Sequence, residues 1–260
     1  MKMNTEHYIE ESDLSVAWAR AVHPMLTRGG PCETAPLIVA VTGFDGNAPR
    51  ETPEIRKSLD ELLVKLDLQT CATVANTIFP ESFWNPKVPR SKFFERYESV
   101  LPRLRKASPK NAKGLYFERM LQGGPDEHPN QLDFVIANYA ARKGVRRSAL
   151  QISIYDPKVD QTAAAQAGFP CLQHVTFAPT KDGLCINAFY ATQFAIERAY
   201  GNYLGLCALG RFVAHELNLS LTRMTCFTGI MKRDDNVRVT DLASMSQIVD
   251  RILKNAEVAA

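Results

Sequence analysis

Residues 170–205 read PCLQHVTFAPTKDGLCINAFYATQFAIERAYGNYLG. His174 to Ala178 and Gly183 to Tyr190 read as two strands, and Lys181-Asp182-Gly183 between them is a hairpin turn signal. The following apolar stretch, Phe194 to Leu217, predicts one long helix that ends at Asn218. Its small residues Ala199, Gly201, Gly205, Ala208 and Gly210 predict close packing against a neighbour. Strand, turn, strand and long helix in succession point to a sheet with helices packed on it.

Outward from this stretch the pattern continues. Ser148 to Tyr155, with Leu150, Ile152 and Ile154 alternating, predicts a strand before the hairpin, and residues 158–169 read as a loop or short helix. Met224 to Ile230 predicts a strand after the long helix, and Val239 to Val258 a last amphipathic helix. Towards the N-terminus, residues 131–143 (QLDFVIANYAARK) predict a helix stopped by Gly144. Thr52-Pro53-Glu54 is a helix start, followed by Ile55, Leu59, Leu62, Leu63 and Leu66 at helical spacing. The run LIVAV at residues 37–41 predicts a buried strand, and Ser12 to Met25 a helix. Residues 79–114, punctuated by Pro80, Pro86, Pro89, Pro102 and Pro109, read as a long excursion rather than a domain boundary. Mixed strands and long helices in 260 residues predict a single α+β domain over 1–260.

Composition narrows the function classes. Hydrophobic residues make up 45 % of the chain, which excludes a disordered polymer. A net charge of +3 gives no argument for nucleic acid. No apolar run reaches the roughly 18 residues of a membrane helix. Residues 1–11 are polar and acidic without an apolar core, so the expectation is a cytoplasmic protein with no secretory signal. The six cysteines (32, 71, 171, 185, 207 and 226) form no C-x-x-C pair, which predicts free thiols and no zinc site. There is no metal constellation and no glycine-rich phosphate loop.

Three pieces stand in a suggestive order: Gln131-Leu132 opening a helix, Arg146-Arg147 ahead of a strand, and Pro170-Cys171 ahead of the hairpin and the helix that carries Asn202. Upstream lie Asp60-Glu61-Leu62-Leu63, Trp84 and Gly114-Leu115-Tyr116. In order, spacing and strand–hairpin–helix context, the chain resembles the thymidylate synthase and deoxycytidylate hydroxymethylase family over roughly residues 28–230. The departures are specific. The family's P-C-H is Pro170-Cys171-Leu172 here, and its Y-Q-R-S-x-D is Tyr190-Ala191-Thr192-Gln193-Phe194-Ala195, without the arginine and aspartate. The segment for sugar recognition has only Phe227-Thr228-Gly229-Ile230-Met231 as counterpart.

The resemblance implies a thymidylate synthase-like fold, a large mixed sheet packed with long helices, one sheet face lying at a homodimer interface. It implies one-carbon transfer, methylation or hydroxymethylation, from 5,10-methylenetetrahydrofolate to a pyrimidine nucleotide or related heterocycle, with no nucleic-acid or membrane partner. Cys171 would be the nucleophile, which requires cations or donors to favour the thiolate; a lone cysteine is otherwise a small buried hydrophobe. Glu61 would relay protons, its place beside Leu59 and Leu62 raising its pKa; otherwise it is a solvent-facing helix residue. Arg146 and Arg147 would hold an anion by forked donation, reaching across the dimer; otherwise they are a surface pair. Asn202 would bond the amide edge of a heterocycle, Tyr116 and Trp84 would stack on flat rings, and Arg28 would hold phosphate. Their plain alternatives are helix packing, core and surface. His174 and His215 are further acid–base groups, His215 reading as structural. The end, Ala256 to Ala260, is similar to the family's apolar tail, which closes over folate. An altered scaffold that binds a nucleotide-like ligand as a sensor or regulatory dimer is the competing expectation.

Overall fold

The expected hairpin forms as two long strands whose alternation sorts the sheet into two faces. Leu184, Ile186, Ala188 and Tyr190 of the second strand are buried, while Cys185, Asn187 and Phe189 between them point to the other side. The computed structural model describes residues 7–46, 48–108, 111, 114–141, 144–161, 163 and 170–259. In chain order the elements are β1 (Tyr8–Glu11), α1 (Leu14–Val22), β2 (Glu33–Thr34), β3 (Leu37–Val41), β4 (Phe44–Asp45), β5 (Ala48–Pro49), α2 (Pro53–Lys65), α3 (Cys71–Ile78), α4 (Arg90–Ala107), α5 (Tyr116–Gln122), α6 (Gln131–Ala141), β6 (Gln151–Ser153), α7 (Pro157–Asp160), β7 (Leu172–Pro179), β8 (Leu184–Phe194), α8 (Ala199–Glu216), β9 (Leu221–Lys232) and α9 (Ala243–Ala259).

Seven strands form one mixed sheet in the order β1-β3-β9-β8-β7-β6, with β2 also pairing β9. β8 and β9 run parallel across the α8 crossover, as do β1 and β3, and the other pairs are antiparallel. The chain is thus a mixed α/β protein with a large mixed sheet, compatible with the α+β expectation. Helix α8 is the centre of the core. Tyr200, Tyr203, Leu206, Cys207, Leu209, Phe212 and Val213 are fully buried along it. The close approach read from its small residues is real: a Cβ on Gly201 would stand 2.6 Å from Val74 Cβ, and one on Gly205 2.8 Å from the Ala75 carbonyl oxygen, both on α3.

Several boundaries differ from expectation. β8 runs on to Phe194, so α8 begins at Ala199 rather than Phe194, after a turn over Ala195–Arg198. Arg147–Ala149 form a 3-10 turn, leaving β6 only three residues, and Val239–Leu242 likewise turn before α9 starts. The excursion at 79–114 contains the 18-residue helix α4, which accommodates Pro102. Residues 142–143 and 164–169, at the end of one expected helix and in the expected loop, lie outside the described residues, as does Ala260. The tail before it continues α9 as helix.

Candidate functional site

Cys171 stands one residue before β7, beside the end of β8. Its carbonyl oxygen accepts a hydrogen bond from the Ala191 N–H at 3.0 Å, and Leu172 is in register with Tyr190. The residue is exposed, but its thiol is sheltered enough that burial raises its pKa, while the Arg198 guanidinium pulls the other way. Tyr116, at the start of α5, brings its hydroxyl to the same point. The Leu172 and Cys171 backbone beside it lowers its pKa, but burial and the nearby thiol outweigh this and push it up to about 12. At neutral pH Tyr116 is therefore a proton donor. The fold brings these two sequence-selected residues together.

Arg198 was not singled out by its sequence. It ends the turn between β8 and α8. Its Nη1 donates to Gln69 Oε1 at 2.7 Å, and its Nη2 pairs with Glu197 Oε1 at 2.7 Å. The turn, not the strand, thus brings a guanidinium near the Cys171 thiol. The turn is tied down by Asp234, which is 2 % exposed and accepts from Ile196 N–H at 2.9 Å and Glu197 N–H at 2.8 Å. Burial raises the Asp234 pKa, opposed by these two backbone donors. Asn202 lies one turn into α8, its N–H donating to the Arg198 carbonyl at 2.9 Å, and the residue is 4 % exposed.

Behind Cys171, on the helix side of the sheet, Tyr190, Gln193, Tyr203, Cys226 and Thr228 are all buried. Gln193 Oε1 accepts from the Thr228 hydroxyl at 3.2 Å. Burial pushes the Tyr190 hydroxyl well above its ordinary pKa, and Tyr116, Cys226, Cys171 and Tyr203 add to the shift in that order.

Two side-chain clamps tie α5, α6, β6 and α7 together. Arg119 of α5 pairs with the buried Asp160 of α7 at 2.6 and 2.9 Å. Gln131 clamps Ser153 of β6 through both its amide atoms, each at 2.9 Å, so the residue that opens the Gln131-Leu132 motif has a definite structural task.

The other expected residues stand apart. Glu61 is not beside the apolar face: Ile55, Leu59, Leu62 and Leu63 point inward from α2, and the helical period turns Glu61 out, 68 % exposed and paired with Lys57. Trp84 packs on Phe79, Phe212 and His215, with Arg211 over its ring. Phe212 is 14 residues along the helix from Arg198, or about 20 Å at 1.5 Å per residue. His215 belongs to that packing cluster, as its sequence reading had it. Arg28, Arg146 and Arg147 are exposed, and none makes an ion pair or side-chain hydrogen bond among the described residues. His174 sits half-buried on the open face of the sheet, where burial lowers its pKa.

No group of three or more side chains suited to a metal ion occurs among the described residues. No helix among them is long and apolar enough to cross a membrane. No family model and no curated protein matches the chain.

Proposed function

We propose that this protein is a one-carbon transferase of the thymidylate synthase type, acting on a pyrimidine nucleotide or a related small heterocycle. The observation that carries the reading is the meeting of Cys171, the Tyr116 hydroxyl and the Arg198 guanidinium, with Asn202 one turn along α8. The Cys171 sulfur adds to an electron-poor ring carbon, and the displaced electron pair makes the neighbouring carbon nucleophilic. Arg198 favours the thiolate. Tyr116 gives a hydrogen bond to charge developing on the ring. Asn202 holds the amide edge of the heterocycle. Glu197, ion-paired to Arg198, takes protons in place of the outward-facing Glu61.

The donor set suits 5,10-methylenetetrahydrofolate: the nearly buried Glu197 carboxylate complements the amine-and-amide edge of a pterin, and the half-buried Tyr116 ring offers a surface to lie on. When bound, the folate supplies the carbon unit. The open sheet face supports a homodimer. Phe189 and Phe227 stack on it with centroids 5.3 Å apart, beside Thr176, Asn187 and Thr225. Arg146 and Arg147, unpaired among the described residues, would hold an anionic group of the substrate in the opposite subunit.

A second reading has its own support. The net upward shift of the Cys171 pKa disfavours the reactive form, which suits a scaffold that binds a heterocycle without one-carbon chemistry. The experiment that separates them is melting temperature against deoxyuridylate, deoxycytidylate and methylenetetrahydrofolate, singly and together, followed by turnover. A ligand that binds only the native state raises the midpoint. A joint shift larger than either alone, with turnover abolished in Cys171→Ser, supports the enzyme. Nucleotide shifts without folate shifts or turnover support the sensor. Full turnover in Cys171→Ser would sink the covalent mechanism.

A further inference from the structure

A cavity of about 310 Å³, the size of a small-molecule site, lies between α3 and α8, where short side chains leave room. Ala72 and Ala75 of α3 and Leu204, Cys207 and Ala208 of α8 give it apolar walls. None of Cys171, Tyr116, Arg198 and Asn202 lines it, so it is separate from the site described above. Its charged walls are two ion pairs. Arg56 Nη1 donates to Glu51 Oε2 at 2.9 Å, and Arg211 Nη2 donates to Glu81 Oε1. The pairs stand far apart. Arg56 lies over the Tyr200 ring, and Arg211 is 11 residues further along α8, about 16 Å at 1.5 Å per residue.

The pair at the Tyr200 end is held and incomplete. Glu51 Oε2 also accepts from the Tyr200 hydroxyl at 2.7 Å, and Arg56 Nε donates to Asp60 at 3.3 Å. These bonds fix both side chains, yet Glu51 Oε1 and Arg56 Nη2 have no partner among the described residues. One anionic oxygen and one cationic donor edge thus stand side by side, each half-buried.

The chemistry of the walls selects the ligand. Two arginines and two glutamates sum to zero charge, and Asn76 adds none. A polyphosphate would meet Glu51 and Glu81, and a polyamine would meet Arg56 and Arg211. A wholly apolar molecule would cover charged groups without offering them partners. A neutral amide would forgo the charge-assisted bonds that both open positions can make. A carboxylate and an ammonium on one carbon answer both positions, and the alanine walls take an attached aliphatic chain.

We propose that this cavity binds a free α-amino acid with an aliphatic side chain, its carboxylate on Arg56 and its ammonium on Glu51. The site is independent of the heterocycle reading and stands or falls without it.

The test uses the full chain in calorimetric titration with L-leucine, leucinamide and isocaproate. Leucinamide lacks the carboxylate, and isocaproate lacks the ammonium. L-leucine should bind at least about 10-fold more tightly than either, the value of one lost charged hydrogen bond. Glu51→Gln, whose amide oxygen still accepts from Tyr200, should bring L-leucine down to the affinity of isocaproate. Ala72→Leu fills the cavity from an exposed position, so it should keep the melting temperature and abolish binding. Saturating deoxyuridylate should leave the L-leucine affinity unchanged. No binding of L-leucine at millimolar concentration, equal binding of all three compounds, or binding unmoved by Glu51→Gln and Ala72→Leu would overturn the site. Competition between deoxyuridylate and L-leucine would also overturn it, by placing the amino acid at Cys171 and leaving the heterocycle reading intact.

Discussion

At the scale of single residues, Cys171 is governed by two opposed effects. Burial raises the thiol pKa from its ordinary value near 9, and Arg198 offsets part of that rise. Only the thiolate reacts, so each unit of pKa costs about tenfold in rate at a fixed lower pH. Alkylation by iodoacetamide should therefore keep rising with pH beyond 9 in the free protein. Arg198→Ala should shift the whole profile to higher pH and slow the reaction several-fold at pH 8, with Arg198→Lys between the two. An unchanged profile in Arg198→Ala would dismiss the guanidinium as an activator. Cys171 was singled out by the order and spacing of Gln131-Leu132, Arg146-Arg147 and Pro170-Cys171 ahead of a strand, hairpin and long helix, not by the proline–cysteine pair alone. Arg198 was not, because Glu197-Arg198 has no spacing of its own and acquires meaning only from the strand that ends before it. Glu61 shows the converse: its motif was readable, but the helix phase that turns it outward makes it a surface residue.

Among elements, the junction from β8 to α8 is the controlling one. Asp234 reaches across from the end of β9 and holds two backbone N–H groups of the turn that delivers Arg198. Asp234→Ala should cost about 2–4 kcal/mol, since both donors lose a charged partner in a buried place, read as a lower urea midpoint. The pH dependence has a definite sign. The folded-state pKa of Asp234 is raised, so the folded protein binds this proton more tightly than the unfolded chain. Its contribution to stability then falls as pH rises above about 3.9 through the folded-state pKa. Asp234→Asn, which keeps one acceptor, should flatten that slope in unfolding curves taken between about pH 4 and 7; a slope equal to wild type would show that another group titrates. On α8 itself, Gly201→Ala should destabilise by about 1–3 kcal/mol through overpacking against α3. The small residues announced that contact, but α3 as its partner was not readable: Cys71–Ile78 is too short and too mixed in pattern to stand out.

On the scale of the whole molecule, the sheet buries one face under α8 and leaves the other with aromatic and hydroxyl side chains. If two copies cover that face, sedimentation should give about twice the 29.0 kDa chain mass, and Phe227→Asp should return the monomer by placing a charge in the contact. Under the proposed one-carbon transfer, Cys171→Ser and Arg147→Ala should each be inactive alone, and mixing them should restore activity through sites built from one intact copy of each residue. A monomer at micromolar concentration, or no restoration on mixing, would detach Arg147 from the partner's site.

Local periodicity was enough for the hairpin, the strand at 37–41, the amphipathic start of α2 and the long glycine-bearing helix. Those features depend on residues within a few positions of one another, and a two- or 3.6-residue repeat is visible in the chain itself. The company each side chain keeps was not visible. The register of β8 with β7 and β9 puts Tyr190 beside Thr228 and Cys171, a turn carries Arg198 to the thiol, and the phase of α2 sends Glu61 into solvent. These are long-range relations, set by how the elements pack and how far each one extends. A site assembled from six segments takes its membership from that packing.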